Sequence, residues 1–263
     1  MAGNNYYRDK QHGRRIAALE HIMQLATDYH DVVKSAQDNT SVEMNVNLDR
    51  LIERTANCRD YMSTVSLRHG DVLDALQQDY GFNGNTGQRR CILNYASHIN
   101  PGGGFVTGAS AQEETLCMHS GLYPCLAQHS TSEFYVTQLT EDLVSSSYIY
   151  TKDCPFFIGG SIVFADVLTM SAPDCNKKDI FKNPRETMTK CMEVAFRVPA
   201  LYGVRRLYLG AWGCGVFRNS IRHVAEEWQR LTYVNDGMYE TIIHPLLSDK
   251  CYDIFDKHVQ HRR

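Results

Sequence analysis

The residues best suited to chemistry are two adjacent carboxylates, Glu113 and Glu114, which follow a glycine run. The chain reads Asn94-Tyr-Ala-Ser-His-Ile-Asn-Pro-Gly102-Gly103-Gly104, and seven residues then separate Gly104 from Gln112-Glu113-Glu114. Consecutive glycines let backbone N–H groups approach a ligand unobstructed, and a carboxyl pair beside them supplies an acid and an anchor. The combination points to acid chemistry next to a phosphate. A second glycine loop, Trp212-Gly213-Cys214-Gly215-Val216-Phe217, stands between a strand pattern and a helix pattern, where a helix N-terminus favours negative charge. Two such loops suit a diphosphate. The second lacks the third glycine of the dinucleotide fingerprint, which argues against hydride transfer to a nicotinamide.

Each feature also has a plainer reading. Ser110-Ala-Gln-Glu113 matches a capping box, which would assign Glu113 to a helix start and give Glu114 only a weak role with the helix dipole. Gly213 and Gly215 can serve turn geometry alone. His119 and His129 lie near Cys117 and Cys125, but the spacings do not match a zinc ligand pattern, so no metal and no cofactor are predicted. Cys214 has no spaced histidine partner that would activate it as a nucleophile.

The elements that must position these residues alternate between helix and strand periods. Ile16, Leu19, Ile22, Met23 and Leu25 predict an amphipathic helix over 11–34, with a loop over 35–47. Strands are predicted over 64–67, 91–96, 148–150, 161–170, 206–211 and 240–243. Helices are predicted from Asp71 to before Gly81, from Gln112 to Leu126 as far as Pro124 permits, and over 183–200, 219–231 and 252–259. The run 81–87 reads as a turn. Such alternation implies an α/β fold, a three-layer α/β/α sandwich with ligand sites at the carboxyl ends of the strands.

The 263 residues and 43% hydrophobic content suit one domain, 1–263, in which 1–60 forms an N-terminal helical extension packed on the core. A net charge of −3 argues against general nucleic-acid binding while leaving room for a local anion site. Nine cysteines without a C-x-x-C pair do not resemble a disulfide framework, and no stretch has the ~20 apolar residues of a membrane span. A cytoplasmic, reduced setting is expected.

Taken together, G-G-G, seven residues and Q-E-E resemble the signature of the poly(ADP-ribose) glycohydrolases, with the bacterial-type, macrodomain-like branch the nearest. Leu93-Asn-Tyr-Ala-Ser97 and Gly210-Ala-Trp-Gly-Cys-Gly-Val-Phe217 resemble that branch too. The resemblance is tight over 91–121 and 207–219, and no catalytic motif aligns between Ser130 and Pro184. It implies a macrodomain-like core with a mixed central sheet that binds ADP-ribose and hydrolyses ribose–ribose O-glycosidic bonds of poly(ADP-ribose) without a metal. Glu114 would then be the general acid/base and Glu113 would hold ribose hydroxyls. Adjacent residues cannot flank a bond as opposed carboxylates do, which agrees with one acid/base glutamate. Such an acid needs a raised pKa, favoured by burial and a neighbouring charge.

The same resemblance implies that Gln112, Gly102, Gly103 and Gly104 line the ligand, and that Gly213, Cys214, Gly215 and Val216 close over the diphosphate. Phe217 would pack near the distal ribose, or simply anchor its loop. Asn94 would stand near the scissile ribose, or stabilise a turn. Gly70-Asp71-Val72 resembles the macrodomain start at which Asp71 and Val72 meet adenine, and Asp71 equally suits a helix N-cap. A reader that binds ADP-ribose without turnover, and a hydrolase acting on ADP-ribosylated proteins or nucleic acid, are the alternative functions.

Overall fold

The computed structural model describes residues 2–83, 87–136 and 139–259. The chain runs α1 (Ala2–Thr27), α2 (His30–Asp38), β1 (Thr40–Glu43), α3 (Leu48–Thr55), β2 (Thr64–His69), α4 (Val72–Asn83), β3 (Arg90–Tyr95), then a 3-10 turn at Phe105–Thr107. It continues with α5 (Gln112–Met118), α6 (Leu122–Ala127), α7 (Glu133–Val136), α8 (Glu141–Ser146), β4 (Tyr148–Ile158) and β5 (Ser161–Met170). Last come α9 (Pro184–Arg197) with a 3-10 turn at Val198–Tyr202, β6 (Arg206–Tyr208), α10 (Ile221–Val234), β7 (Thr241–Leu246) and α11 (Asp249–His258).

The seven strands form one mixed sheet in the order β1-β4-β5-β3-β6-β7-β2. From β5 to β2 every pairing is parallel, whereas β4 is antiparallel to both β5 and β1. Successive side chains point to opposite faces of a strand, and the two cores sort accordingly. Cys91, Leu93, Leu207 and Ile242 join a cluster with Met192 and Phe196 of α9 and Val224 and Trp228 of α10. Ile92, Tyr208 and Ile243 join the other cluster, with Ala18 of α1, Leu76 of α4, Leu116 of α5 and Leu122 of α6. Helices therefore cover both faces, as the expected three-layer sandwich requires.

Several expectations need correction. The helix expected over 11–34 is two helices broken at Asp28–Tyr29, and its buried side is Ala18 and Leu25, while Ile16, Leu19 and Met23 are exposed. The loop expected over 35–47 contains the end of α2 and edge strand β1, whose short pairing with β4 leaves no long periodic signal. The helix expected from Gln112 onward is interrupted at His119–Gly121, where Ser120 bridges to Phe156 and Gly121 N–H donates to Pro155 C=O at 2.9 Å. Pro124 instead sits in the first turn of α6, where its missing N–H costs nothing. Strand β4 extends past Tyr150 to Ile158, through a register shift near Asp153, and turns at Gly159 and Gly160, both at positive φ, as a two-residue hairpin demands. Pro155 fits there because β1 pairs only with Tyr148–Thr151; beyond it the His119–Gly121 segment bonds the Pro155 C=O and the Phe157 N–H and asks for no N–H from Pro155 itself. Helix α4 runs on to Asn83; of the turn expected over 81–87, residues 84–86 lie outside the described residues.

Local signals set the helix starts. Ser220 caps α10, accepting from His223 N–H, and Ser248 caps α11, accepting from Cys251 N–H at 3.3 Å. At the amino ends of the parallel strands, fully buried Asp79 of α4 accepts from Arg206 Nε at 2.7 Å, Arg90 Nε at 3.3 Å and the Tyr208 hydroxyl at 2.6 Å. Burial alone would push this carboxyl up, but the Tyr208, Arg206 and Arg90 hydrogen bonds and the Arg206 charge outweigh it and hold the group below its usual range. The ion cluster ties α4 to β3 and β6, the strands that carry the two glycine loops.

Replacing Asp79 with Asn leaves two buried guanidiniums without their anion and is expected to cost about 3–5 kcal/mol near neutral pH. Because the folded carboxyl titrates below its unfolded value, this stabilisation is present above about pH 4 and is lost as pH falls through the folded value. Urea titrations across pH check this: the gap between wild type and Asp79→Asn should be widest near neutrality and close in acid.

Candidate active site

The site forms where β3, β5 and β6 deliver their following loops to the same end of the sheet, the carboxyl side expected of open α/β folds. Strand β6 stops pairing with β3 at the Ile92–Tyr208 register, and Ala96 N–H turns toward β5 to bond Met170 C=O. Leu93 and Tyr95 therefore face a side of β3 that β6 no longer covers. Gln112 fills it: Oε1 accepts from Tyr95 N–H at 2.9 Å and Nε2 donates to Leu93 C=O at 2.8 Å. Gln112, expected among the ligand-binding residues, thus spends its amide on docking the start of α5 against β3.

That docking aims the two carboxylates. Adjacent helical residues project about 100° apart, so Glu113 and Glu114 turn to different partners. Glu113, 3% exposed, turns under the loop; Oε2 accepts from Ser97 N–H at 2.7 Å and Oε1 from Asn94 Nδ2 at 3.3 Å. Glu114, 9% exposed, accepts from Gly104 N–H at 2.7 Å and from Ala111 N–H at 2.8 Å. The Ser110–Glu113 capping box does not form. Ala111 is the N-cap, and alanine has no acceptor to offer, so Glu114 supplies only the reciprocal half of a box. Sequence spacing placed the cap one residue early because the loop after Gly108 leads into α5 with Ala111 extended.

Electrostatics separate the pair further. Burial pushes the Glu113 carboxyl up to about 8, against the Ser97 and Asn94 hydrogen bonds and with help from the Glu114 charge. A strongly raised carboxyl thus sits on Glu113, the residue expected to hold ribose hydroxyls. Around both, the glycine loop is tight: a Cβ on Gly103, at φ +60°, would fall 2.5 Å from Glu114 Oε1 and 3.0 Å from Glu113 Oε2. Gly102 also holds a positive φ, +69°. Both carboxylates thus converge on the space that only a missing side chain leaves open.

Asn94 is fully buried and spans β3 and β5, donating to Glu113 and to Thr169 Oγ1 at 3.2 Å. Its place is behind Glu113, as a positioning amide. The Gly213 loop is laced to the segment after β5. Asn219 Nδ2 donates to Pro173 C=O at 2.8 Å and Gly213 C=O at 3.0 Å, Cys175 N–H donates to Phe217 C=O at 2.9 Å, and Asn176 Nδ2 donates to Val216 C=O at 2.9 Å. Gly213 tolerates no side chain, since its Cβ would lie 2.7 Å from Ala172 Cβ; Gly215 has open space, and Val216 is exposed. Beneath the loop, Trp228 Nε1 donates to Gly210 C=O at 2.9 Å. Burial pushes the Cys214 thiol up to about 12, which keeps it protonated and unreactive.

Asp71 is the N-cap of α4, with Oδ1 accepting from Leu73 and Asp74 N–H at 2.8 and 2.9 Å, and the Val72 side chain lies in the core. They sit at the end of β2, separated from β3 by β6 and β7 in the sheet order. Ser97, His98, Thr169, Ser171, Asn176 and Asn219 were not singled out from sequence. Asn219 follows Phe217 by two residues and was within reach of motif reading; Thr169 was not, because its pairing with Asn94 is a matter of strand register. Among the described residues, no group of three or more His, Cys, Asp or Glu side chains is placed to hold a metal ion, and no helix is long and apolar enough to cross a membrane.

Solved structures share this architecture. Poly(ADP-ribose) glycohydrolase from Thermomonospora curvata superposes with a TM-score of 0.79 at 24% identity, covering 94% of this chain and 99% of that one. The same enzyme bound to the inhibitor ADP-HPD gives 0.78, with the same identity and coverage. Poly(ADP-ribose) glycohydrolase from Deinococcus radiodurans in complex with ADP-ribose gives 0.76 at 25% identity, covering 86% of this chain and 96% of that one. The fold is accordingly macrodomain-like, as these glycohydrolases have it. No curated protein matches the chain significantly. The model of the microbial-type PARG catalytic domain matches residues 4–158, which include β3, the triple glycine and both glutamates. Matched over more than half its length, the chain belongs to the microbial-type poly(ADP-ribose) glycohydrolase (PARG) catalytic-domain family.

Proposed function

We propose that the protein is a poly(ADP-ribose) glycohydrolase that releases ADP-ribose, with Glu114 as general acid/base. The observation that carries this assignment is the convergence of both carboxylates on the space beside Gly103, both buried and Glu113 the deeper. Terminal ADP-ribose seats its diphosphate between the Gly102–Gly104 and Gly213–Val216 backbones, with Phe217 as a wall beside the distal ribose. Asp71 and the backbone at Val72 border the adenine end, where the capping role of Asp71 leaves the outer carboxylate edge free to accept.

The pair works with one proton, the one that burial keeps on Glu113 in the free enzyme near neutral pH. Glu114, the more accessible member, delivers that proton to the leaving ribose oxygen as the glycosidic C–O bond breaks and the bonding electrons depart with that oxygen. The resulting carboxylate stabilises the oxocarbenium-like ribose and then takes a proton from the water that adds to the anomeric carbon. Glu113 holds ribose hydroxyls from beneath, steadied by Asn94 and Ser97. The family match and the ADP-ribose and ADP-HPD complexes of the structural neighbours support this reading. Nine free thiols support placing the enzyme in a reducing cytoplasm.

Incubation with labelled poly(ADP-ribose) and with mono-ADP-ribosylated protein, following free ADP-ribose, tests the reading. Wild type should release ADP-ribose from polymer, and Glu114→Gln should be slower by on the order of 10²–10⁴-fold while still binding ADP-ribose. Binding without release from either substrate would mean a reader, and release from the mono-modified protein alone would shift the substrate. The protonated Glu113 also has a kinetic signature. For wild type, kcat/KM should fall as pH rises through about 8, the value at which Glu113 ionises in the free enzyme, and Glu113→Gln should lose that alkaline limb. Steady-state rates from about pH 6 to about 9.5 check it.

A further inference from the structure

His98 lies in the first glycine loop, yet nothing in the reaction as described uses it. Its ring is stacked on Phe217 of the second loop, with centroids 4.7 Å apart and planes 3° from parallel, and leans on Phe181 at 6.1 Å. Its Nδ1 is hydrogen-bonded to Ser171 Oγ, whose hydroxyl donates to Ala96 C=O at 2.9 Å. With the Ser171 proton directed at that carbonyl, Nδ1 carries the imidazole proton and donates to Ser171, so Nε2 is the bare nitrogen. Nε2 is buried and has no hydrogen-bond partner. The ring as a whole is 8% exposed.

We propose that His98 is a positioning residue for the glycohydrolase reaction: a neutral imidazole, pinned to Ser171, that braces Phe217 from behind and so fixes the wall of the distal ribose site. The inference rests on the function proposed above, in which Phe217 meets that ribose. Three loops meet in this contact. His98 comes from the β3 loop, Ser171 from the end of β5, and Phe217 from the β6 loop, whose C=O is further held by Cys175 N–H. An aromatic wall supported on one face and clamped through its backbone loses little freedom on ligand binding, which is what preorganisation requires. Burial, together with the Lys177 charge and against Asp174, pushes the His98 pKa down to about 4, so the ring stays neutral wherever the enzyme is assayed near neutrality. Parallel stacking of offset rings is favourable in itself, and a cationic ring with a partnerless buried nitrogen would not be.

A double-mutant cycle tests the brace. His98→Ala should lower kcat on poly(ADP-ribose) by roughly 10- to 100-fold, the scale on which small misplacements near a reacting centre act, with a smaller change in ADP-ribose affinity. Phe217→Ala should show a similar pattern, and the double variant should be no slower than Phe217→Ala, because a brace has no function without the ring it supports. His98→Phe, which keeps a stacked ring, should recover to within about 3-fold of wild type, a rescue not expected if the imidazole nitrogens did the chemistry. If His98→Ala fails to fold by its thermal transition, His98→Asn removes the ring while keeping a polar group and replaces it in the cycle. An unimpaired His98→Ala, additive losses in the cycle, or a His98→Phe as slow as His98→Ala would each overturn the brace. Wild type assayed alongside separates the two claims: no release by wild type overturns the glycohydrolase function and the brace with it, whereas release by wild type with an unimpaired His98→Ala overturns the brace alone.

Discussion

Where β6 ends beside β3, the Leu93 carbonyl and the Tyr95 amide are left on an uncovered side of a central strand, and the Gln112 side chain takes both, at 2.8 and 2.9 Å. Buried backbone groups must be paired, so this one amide stands in for the next residues of a strand and fixes the first residue of α5 against the sheet. Everything after it in the site follows from helix geometry. Glu113 falls under the loop onto Asn94 and Ser97, Glu114 falls outward onto Gly104 and Ala111, and the triple glycine folds over both.

The two glutamates then acquire different environments from the same position in the helix. Both lie at the amino end of α5, where the helix favours negative charge, but Glu113 is deeply buried and its neighbour repels a second charge. Its raised pKa keeps a proton on the buried member of the pair near neutral pH. The remainder of the fold ties the surrounding elements together. Asp79 locks α4 to β3 and β6 at the opposite end of the strands, Trp228 sets the height of the Gly210 turn, and Asn219 joins the loops after β5 and β6.

Motif spacing was the most legible layer. Gly102–Gly104, Gln112–Glu114 and Gly213–Phe217 are contiguous in sequence, their residue types are dictated by local chemistry, and the structure brings all three to one end of the sheet. Long periodic elements were readable for the same reason, as with β5 and α10. Less legible were elements whose identity depends on partners. Edge strand β1 has four residues and only β4 to pair with; the second half of β4 carries Asp153 and Pro155, which look like breakers until the register shift and the bridge to the His119–Gly121 segment are known. Helix α1 shows more apolar residues than one face can hold, so periodicity picked Ile16, Leu19 and Met23, while the neighbouring packing selected Ala18 and Leu25.

What the chain determined alone is the set of groups that needs no distant partner: glycines where side chains are forbidden, a carboxyl pair at a helix start, and alternation that commits it to an α/β sandwich. Which glutamate is buried, where Gln112 spends its amide, and how His98, Ser171 and Phe217 meet were decided only by tertiary structure. Burial and hydrogen-bond satisfaction are properties of neighbours drawn from β3, β5 and β6, and strand register, absent from any local window, is what makes those residues neighbours.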